Sequence, residues 1–235
     1  MSKIIFVTGP SGMAKTKVKE KFENLAKPLG IQFQRVIATV SRDMRPNENQ
    51  GDPWFFKSDA EIKTNHNKNP ERYLQVEVRK GELQGLDTET QLKNKLKITD
   101  VLWCELHIKW LKEIEKWIKD NAPTTKIIKI FIAPLTEAEV LVRMAKENAT
   151  WENVIEEEML RRLIARKIAN LDNATLEKLQ ERAQNAVYQY ALRSQFDCII
   201  VNHQGEESAQ WGGVSEFPIG EAAQVMEQFF RIYIS

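Results

Sequence analysis

The sequence predicts an α/β fold in which a parallel β-sheet is flanked by helices. Short apolar runs rich in β-branched residues, which suit buried strands, alternate with longer segments whose apolar residues recur at helical spacing. Turns rich in glycine, proline and asparagine separate the two kinds of segment. The chain has 235 residues and is 42% hydrophobic, which is enough for one sizeable core. We therefore expect a single domain with excursions from the sheet.

The first strand and the first helix frame a glycine-containing loop. The run KIIFVT at 3–8 predicts a buried strand, and apolar residues at helical spacing predict a helix over 15–27. Further strands are predicted over 33–40, 72–85 (with turns), 95–99, 125–135 and 196–203. Further helices are predicted over 101–119, 136–148, 151–170, 173–193 and 221–234. Thr136 and Glu139 have the spacing of a capping box at one helix start.

The loop VTGPSGMAKT, at 7–16, fits the phosphate-binding pattern G-x-x-x-x-G-K-[ST] except that Ala14 replaces the second glycine. Gly9 and Gly12 allow backbone N–H groups to surround a phosphate, while Lys15 reaches the outer phosphates and Thr16 holds Mg²⁺. We interpret Ala14 as a residue entering a right-handed helix, where a methyl group is tolerated. The loop is therefore expected to function, and a chance strand–turn–helix is the alternative.

Composition argues against several other classes of protein. Lys+Arg total 34 against 33 Asp+Glu, whereas a general binder of nucleic acid or anionic membranes would be more basic. Neither the two cysteines nor the three histidines have the spacing of a metal or redox site. Because no leader pattern or membrane-length apolar run is visible, we expect a cytoplasmic protein with neither a nucleic-acid partner nor a membrane partner.

Residues 41–56, SRDMRPNENQGDPWFF, resemble the signature of the guanylate kinase family. They carry Arg42 and Arg45 three apart, then Glu48, Gly51 and an aromatic pair. Later segments are similar to that family in the same order, namely IFIAPLTEAEVLVRM, MLRRL and FDCIIVNH. The resemblance covers nearly the whole chain.

The resemblance implies a P-loop NTPase-type sheet with a small nucleoside-monophosphate-binding lobe and a helical lid. The implied boundaries are a core at about 1–37, 95–143 and 168–235, a lobe at about 38–94 and a lid at about 144–167. The implied reaction moves a phosphoryl group from ATP to a nucleoside monophosphate, GMP being the first expectation, with Mg²⁺ as cofactor. The implied partners are these nucleotides, and the sequence does not give the oligomeric state.

The expected site residues fall into four groups. The catalytic group is Lys15, Arg42, Arg143 and Arg162, in which Arg161 can replace Arg162 because the register of the arginine pair is open. The ATP-binding group is Gly9, Ser11, Gly12, Met13, Ala14, Lys15, Thr16, Arg143 and Asn202. The acceptor-binding group is Arg42, Arg45, Trp54, Gln75, Glu77, Asp100, Arg162 and Arg166. The metal group is Thr16 and Asp100, where Asp100 is expected to end the strand at 95–99 and to order Mg²⁺ through water or hold Lys15, a helix N-cap being the alternative.

The chain departs from the family pattern mainly where the acceptor would bind. Anchoring on Gly81 and Gly85 places Gln75 where the family has a guanine-reading acid, although Glu77 lies on the same strand face. Gln84, Leu86 and Trp54 replace hydroxyl-bearing residues, and Glu147 replaces a lid arginine. Two alternatives therefore stay open: a kinase of another small phosphorylated acceptor, such as another nucleotide or a ribose phosphate, and an inactive binding module. The loop at 205–220 either covers the nucleotide or connects two elements.

Overall fold

The structure is a computed structural model that describes residues 2–44, 48–166, 173–213 and 216–234. The predicted acceptor-binding Arg45 lies outside the described residues. The described strands are β1 (Lys3–Thr8), β2 (Phe33–Arg35), β3 (Thr39–Val40), β4 (Asn49–Gln50), β5 (Pro53–Phe56), β6 (Tyr73–Arg79), β7 (Glu82–Asp87), β8 (Val101–Glu105), β9 (Lys126–Ala133) and β10 (Cys198–Val201). The described helices are α1 (Lys15–Ala26), α2 (Asp59–Lys68), α3 (Asn94–Leu96), α4 (Trp110–Asn121), α5 (Glu137–Glu147), α6 (Trp151–Ala165), α7 (Asn173–Ala191) and α8 (Gly220–Ile234).

The chain divides into two compact units. The first comprises Met1–Phe6 and Leu29–Ile128, and the second comprises Val7–Pro28 and Lys129–Ser235. Strand β1 contributes residues to both. No helix among the described residues is both long enough and apolar enough to cross a membrane.

The larger sheet is parallel and five-stranded, which confirms the predicted fold class. Its order is β10-β9-β1-β8-β2. Cys198 pairs with Ile130, and Phe33 pairs with Val101. Residues 4–8 of β1 are all buried, as expected for a parallel strand with both faces covered.

The first unit contains a second sheet in the order β4-β5-β3-β7-β6. Strands β6 and β7 form an antiparallel hairpin, and β3 lies antiparallel to β7 and parallel to β5. Helix α2 lies on the Gly85 face of this sheet, since a Cβ built on Gly85 would be 3.0 Å from Cγ2 of Ile62. Close packing of helix and sheet explains the glycine at that position.

Most predicted elements are present, but two predictions were wrong. The predicted strand at 95–99 is occupied by the end of a helical segment, α3, and a turn. Residues 101–105 form strand β8 rather than the start of a helix, which begins at Trp110. A short run of buried apolar residues fits either structure, because a strand that is covered on both faces has no alternation. The capping box of Thr136 and Glu139 is confirmed, with the Glu139 carboxylate accepting the Thr136 N–H at 2.7 Å.

Candidate functional site

The phosphate-loop candidate lies in the second unit, between β1 and α1. Gly9 has φ 145°, and a Cβ there would overlap the carbonyl oxygen of Ile132. Gly12 has φ 88°. Only glycine adopts the Gly9 conformation without strain, so the loop backbone requires glycine at this position.

The amino end of α1 is open to an anion. Among the described residues, its N-cap makes no side-chain hydrogen bond, and its first turn carries no acidic residue. The first N–H groups of a helix have no partners within the helix, and the helix dipole adds positive potential there. In contrast, α2 and α5 both begin with complete capping boxes. The bare amino end of α1 is therefore suited to bind phosphate.

Lys15 lies against the loop that it closes. Its ammonium donates to the carbonyl oxygens of Gly9 at 2.9 Å and Pro10 at 2.7 Å. Ser11 and Thr16 are exposed, whereas Met13 is buried. The loop thus combines a fixed positive charge with an exposed hydroxyl at the helix start, the groups that bind phosphates and Mg²⁺ in such loops.

The expectation for Ala14 was wrong in its physical basis. Ala14 is the N-cap of α1 and has φ 55° and ψ 28°, which is the left-handed region rather than the right-handed one. The backbone must reverse its curvature here before the helix begins, which a second glycine would permit without strain. For a residue with a Cβ, this conformation costs about 1–3 kcal/mol.

The arginines of α5 and α6 converge on a carboxylate that the sequence analysis missed. Glu158 accepts hydrogen bonds from Arg143 at 3.4 Å, Arg161 at 2.8 Å and Arg162 at 2.6 Å. Burial would raise the pKa of Glu158, but the hydrogen bonds from Arg161 and Arg162 outweigh burial and hold its pKa below the ordinary value. Its spacing of three and four residues from the arginine pair on one helix was the available signal.

Arg162 contacts the phosphate loop and two neighbouring carbonyl groups. Its guanidinium donates to the carbonyl oxygens of Asn202 at 3.0 Å and Pro134 at 2.9 Å, and its Nη1 lies 3.7 Å from Sδ of Met13. The Asn202 side chain donates to the Met13 carbonyl at 3.1 Å. With Glu158 also bound, the Arg162 side chain is only 9% exposed. Arg162 and Asn202 therefore hold the loop in place.

Arg143 and Arg166 are placed differently. Arg143 pairs with Glu147 at 2.9 Å and Glu157 at 3.0 Å, and its pKa is raised chiefly by the hydrogen bond to Glu147. Glu147, which stands where the family pattern has an arginine, is thus one of the ion-pair partners of Arg143. Arg166 forms an ion pair with Glu206.

The acceptor candidates of the first unit begin with Arg42. Its guanidinium forms two hydrogen bonds with the Glu48 carboxylate, at 2.6 and 2.7 Å, and lies 5.4 Å from the ring centroid of Phe56. Trp54 lies two residues before Phe56 on β5, so it points to the same face. This face presents one oriented guanidinium over aromatic surface, which suits a phosphate with an attached ring.

The hairpin register separates the predicted acceptor residues. Gln75 pairs with Gly85 and Glu77 with Leu83, whereas Gln84 pairs with Val76. Directly paired residues point to the same face and neighbours along a strand to opposite faces. Gln75 and Gln84 therefore lie on opposite faces of the hairpin.

The second sheet (β4-β5-β3-β7-β6) is called the lobe sheet below. Arg42 lies on the same face of the lobe sheet as Gln84. Val40 pairs with both Phe56 and Gln84, so these three side chains share a face. Gln75 and Glu77 lie on the other face, with α2. Oε1 of Gln75 is buried with no hydrogen-bond partner among the described residues.

The face of the lobe sheet that is covered by α2 lines a cavity. Glu77, on the same face, has a structural contact. A cavity of about 460 Å³ is lined by residues that include Thr39, Phe55, Ile62 and Gly85. The Glu77 carboxylate accepts the N–H of Gly81 at 3.2 Å, which closes the hairpin turn.

Gln84 has a structural reason for its identity. It is buried, and its Oε1 accepts the indole N–H of Trp110 at 2.8 Å. A buried indole N–H without a partner would be destabilising. The amide at this position therefore belongs to the packing of α4 against the lobe strand.

The expectation for Asp100 was also wrong. Asp100 precedes β8 rather than ending a strand, and its carboxylate accepts the Gln32 N–H at 2.8 Å. Its carbonyl accepts the N–H of Lys3, at the start of β1, so it is at the amino end of the strands. Ligands of open parallel sheets bind at the carboxyl ends, where β8 presents the half-buried Glu105. In the sequence, the feature that marks this position is an acidic residue directly after the apolar run at 101–104.

Among the described residues, no group of three His, Cys, Asp or Glu side chains has the arrangement of a metal site. Mg²⁺ commonly binds through substrate phosphates, waters and one or two protein oxygens. The exposed hydroxyl of Thr16 beside the loop fits that mode.

Comparison with known proteins agrees with the fold. No protein-family model matches the chain. The chain is 26% identical over 138 residues to a guanylate kinase of Wigglesworthia glossinidia brevipalpis, covering 59% of this chain and 61% of that protein, which is under two thirds of its length. It is 25% identical over 208 residues to a guanylate kinase of Prochlorococcus marinus (strain MIT 9312), covering 88% and 93%. The crystal structure of guanylate kinase from Anaplasma phagocytophilum matches 99% of this chain and 86% of that chain with a TM-score of 0.54 at 14% identity.

Proposed function

We propose that this chain, whose similarities support the guanylate kinase family, transfers a phosphoryl group from ATP to a nucleoside monophosphate, with GMP as the first acceptor to test. The observation that carries the proposal is the uncapped amino end of α1 behind a loop that Gly9 and Lys15 shape. The first N–H groups of a helix need partners from side chains, water or a ligand, and a phosphate provides such a partner.

The proposed chemistry is in-line transfer. An oxygen of the acceptor phosphate forms a bond to the γ-phosphorus of ATP as the bond to the β–γ bridging oxygen breaks, leaving ADP. Positioning and neutralised charge supply most of the catalysis in such reactions. Mg²⁺, when bound with ATP, supplies further charge neutralisation.

The roles of the ATP-side residues follow from their positions. Backbone N–H groups from Ser11 to Thr16 bind the phosphates, and Lys15 neutralises charge on the transferring group. Arg162 and Asn202 keep the loop in shape. Thr16 is the proposed protein ligand of Mg²⁺.

The proposed acceptor site lies on the Arg42 face of the lobe sheet. Arg42 grips the acceptor phosphate with two N–H groups, and Glu48 orients it beforehand. Trp54 supplies aromatic surface for the base. Arg45 stays a proposal as a further ligand of the acceptor phosphate, and Arg166, which lies beside the phosphate loop, stays a proposal as a phosphate ligand there.

A kinase of another small phosphorylated acceptor is the second candidate. The observation that favours it is the position of Gln75 and Glu77, which lie on the face opposite Arg42. GMP selection through these two residues is therefore not part of the proposal. An inactive binding module is a weaker candidate, because such a module has no need of Lys15 bound to its own loop.

The test is ADP formation from ATP and Mg²⁺ with GMP, dGMP, AMP, CMP, UMP and ribose 5-phosphate in turn. Lys15→Ala serves as the blank, and Lys146→Ala, which removes an exposed lysine of α5, serves as the matched control. We expect GMP-dependent turnover that is lost in Lys15→Ala and kept in Lys146→Ala. Turnover with ribose 5-phosphate alone would favour the second candidate, and no turnover with intact ATP binding would contradict both kinase assignments.

A further inference from the structure

The segment that follows β10 is fixed to the second unit. The buried ammonium of Lys21 on α1 donates to the carbonyl oxygens of Gly213 and Glu216, the latter at 2.7 Å. The buried indole of Trp211 donates to the Gly205 carbonyl at 2.9 Å. The backbone before Glu206, at Gly205, and after it, at Gly213 and Glu216, is therefore anchored.

Glu206 forms an ion pair with Arg166 beside the phosphate loop. A Cβ built on Gly12 would lie 3.4 Å from Nη1 of Arg166, so the guanidinium lies beside the loop at Gly12. The two side chains are 31% and 25% exposed. The negative charge of Glu206 is thus separated from the phosphate loop only by the guanidinium of Arg166.

Arg166 differs from Arg162 in how firmly it is held. Arg162 is bound by a buried carboxylate and by two carbonyl oxygens. Within the described residues, Glu206 is the acidic partner of Arg166, and the pair is partly open to solvent. Such a pair is exchanged for a stronger anion at low cost.

We propose that Glu206 is an internal competitor for Arg166 that weakens the binding of polyphosphate to the loop. The Glu206 carboxylate forms an ion pair with the Arg166 guanidinium. A bound triphosphate competes for the same guanidinium and meets the repulsion of the nearby carboxylate. Glu206 thereby sets the affinity for the donor nucleotide, an inference that rests on the proposed ATP site but not on the identity of the acceptor.

The test measures the Kd of the full chain for ATP and for inorganic tripolyphosphate by titration calorimetry at fixed ionic strength. Glu206→Gln should lower both Kd values about three- to tenfold, the range for a partly exposed charge interaction. Glu207→Gln is the matched control, since it removes the same charge from the adjacent exposed residue. A thermal melt of each variant checks that it is folded.

The Arg166→Gln background identifies the route of the effect. If Glu206 acts through Arg166, then Glu206→Gln changes neither Kd in that background. The proposal is overturned if Glu206→Gln behaves like Glu207→Gln, if it raises either Kd, or if its effect persists without Arg166. Binding that responds to Glu206 in a protein without turnover would refute the proposed reaction alone, whereas turnover with an unresponsive Kd would refute this inference alone.

Discussion

Replacing Ala14 with glycine should stabilise the protein, although replacing alanine with glycine generally destabilises a protein by giving the unfolded chain more conformational freedom. Ala14 has φ 55° and ψ 28° and is fully buried. Relief of the left-handed conformation is worth about 2 kcal/mol. Greater freedom of the unfolded chain removes about 0.7 kcal/mol, and loss of the buried methyl group about 0.8 kcal/mol. The expected net gain is about 0.5 kcal/mol.

Valine at the same position should have the opposite effect. A β-branched side chain is strongly disfavoured at positive φ, so we expect Ala14→Val to lower the free energy of unfolding by about 2 kcal/mol or more. Asn148 also has positive φ, at 49°, but asparagine tolerates this region. Asn148→Gly is therefore the control, with an expected change near zero.

The measurement is urea unfolding of the three variants and the parent protein, with unchanged m-values as the condition for comparison. A right-handed Ala14 would make Ala14→Gly destabilising by about 0.5–1 kcal/mol. That sign would refute the conformation described above and the strain argument with it.

Three further perturbations test other parts of the structure. Gly9→Ala should destabilise the protein by about 2 kcal/mol or more and abolish ATP binding, because its Cβ would overlap the Ile132 carbonyl; retained calorimetric binding would contradict this. Glu158→Gln should cost about 3 kcal/mol in urea unfolding at pH 7, because it leaves the buried guanidinium of Arg162 without a carboxylate partner. The pKa of Glu158 is lowered in the folded state, so its contribution to the free energy of unfolding is present above pH 4.5 and is lost as pH falls below that value. The Glu158→Gln variant should therefore lose stability less steeply with falling pH than the parent protein. An unchanged pH dependence would contradict this role of Glu158. Gln84→Leu should cost about 1–3 kcal/mol by orphaning the Trp110 N–H, measured as a lower urea midpoint, and a neutral effect would show that the bond is unimportant.

Local patterns in the sequence predicted the parts of the fold that local interactions determine. The β1–loop–α1 unit and the capping box of Thr136 follow from residues within one or two turns of each other. The strand at 101–105 was missed because its burial depends on covering elements that are distant in sequence. Its apolar run does not distinguish a covered strand from a helix.

The candidate site was predictable in residue type but not in contacts. Lys15 and Arg42 are recognisable from spacing, yet Glu158 also reaches Arg143 through the packing of α5 against α6, and Glu206 meets Arg166 across 40 residues of chain. Anchoring on two glycines fixes spacing along the chain and not the pairing across the hairpin, so the sheet face on which Gln75 lies was not predictable. A shift of one residue moves a side chain to the other face.

Phosphoryl transfer is tested most directly by following the label from γ-³²P-ATP in the presence of GMP and Mg²⁺. We predict that label appears in GDP in proportion to the ADP formed, and that Lys15→Ala abolishes the transfer. Label that appears only in inorganic phosphate, or that stays in ATP while ATP binding is intact, would contradict the proposed reaction.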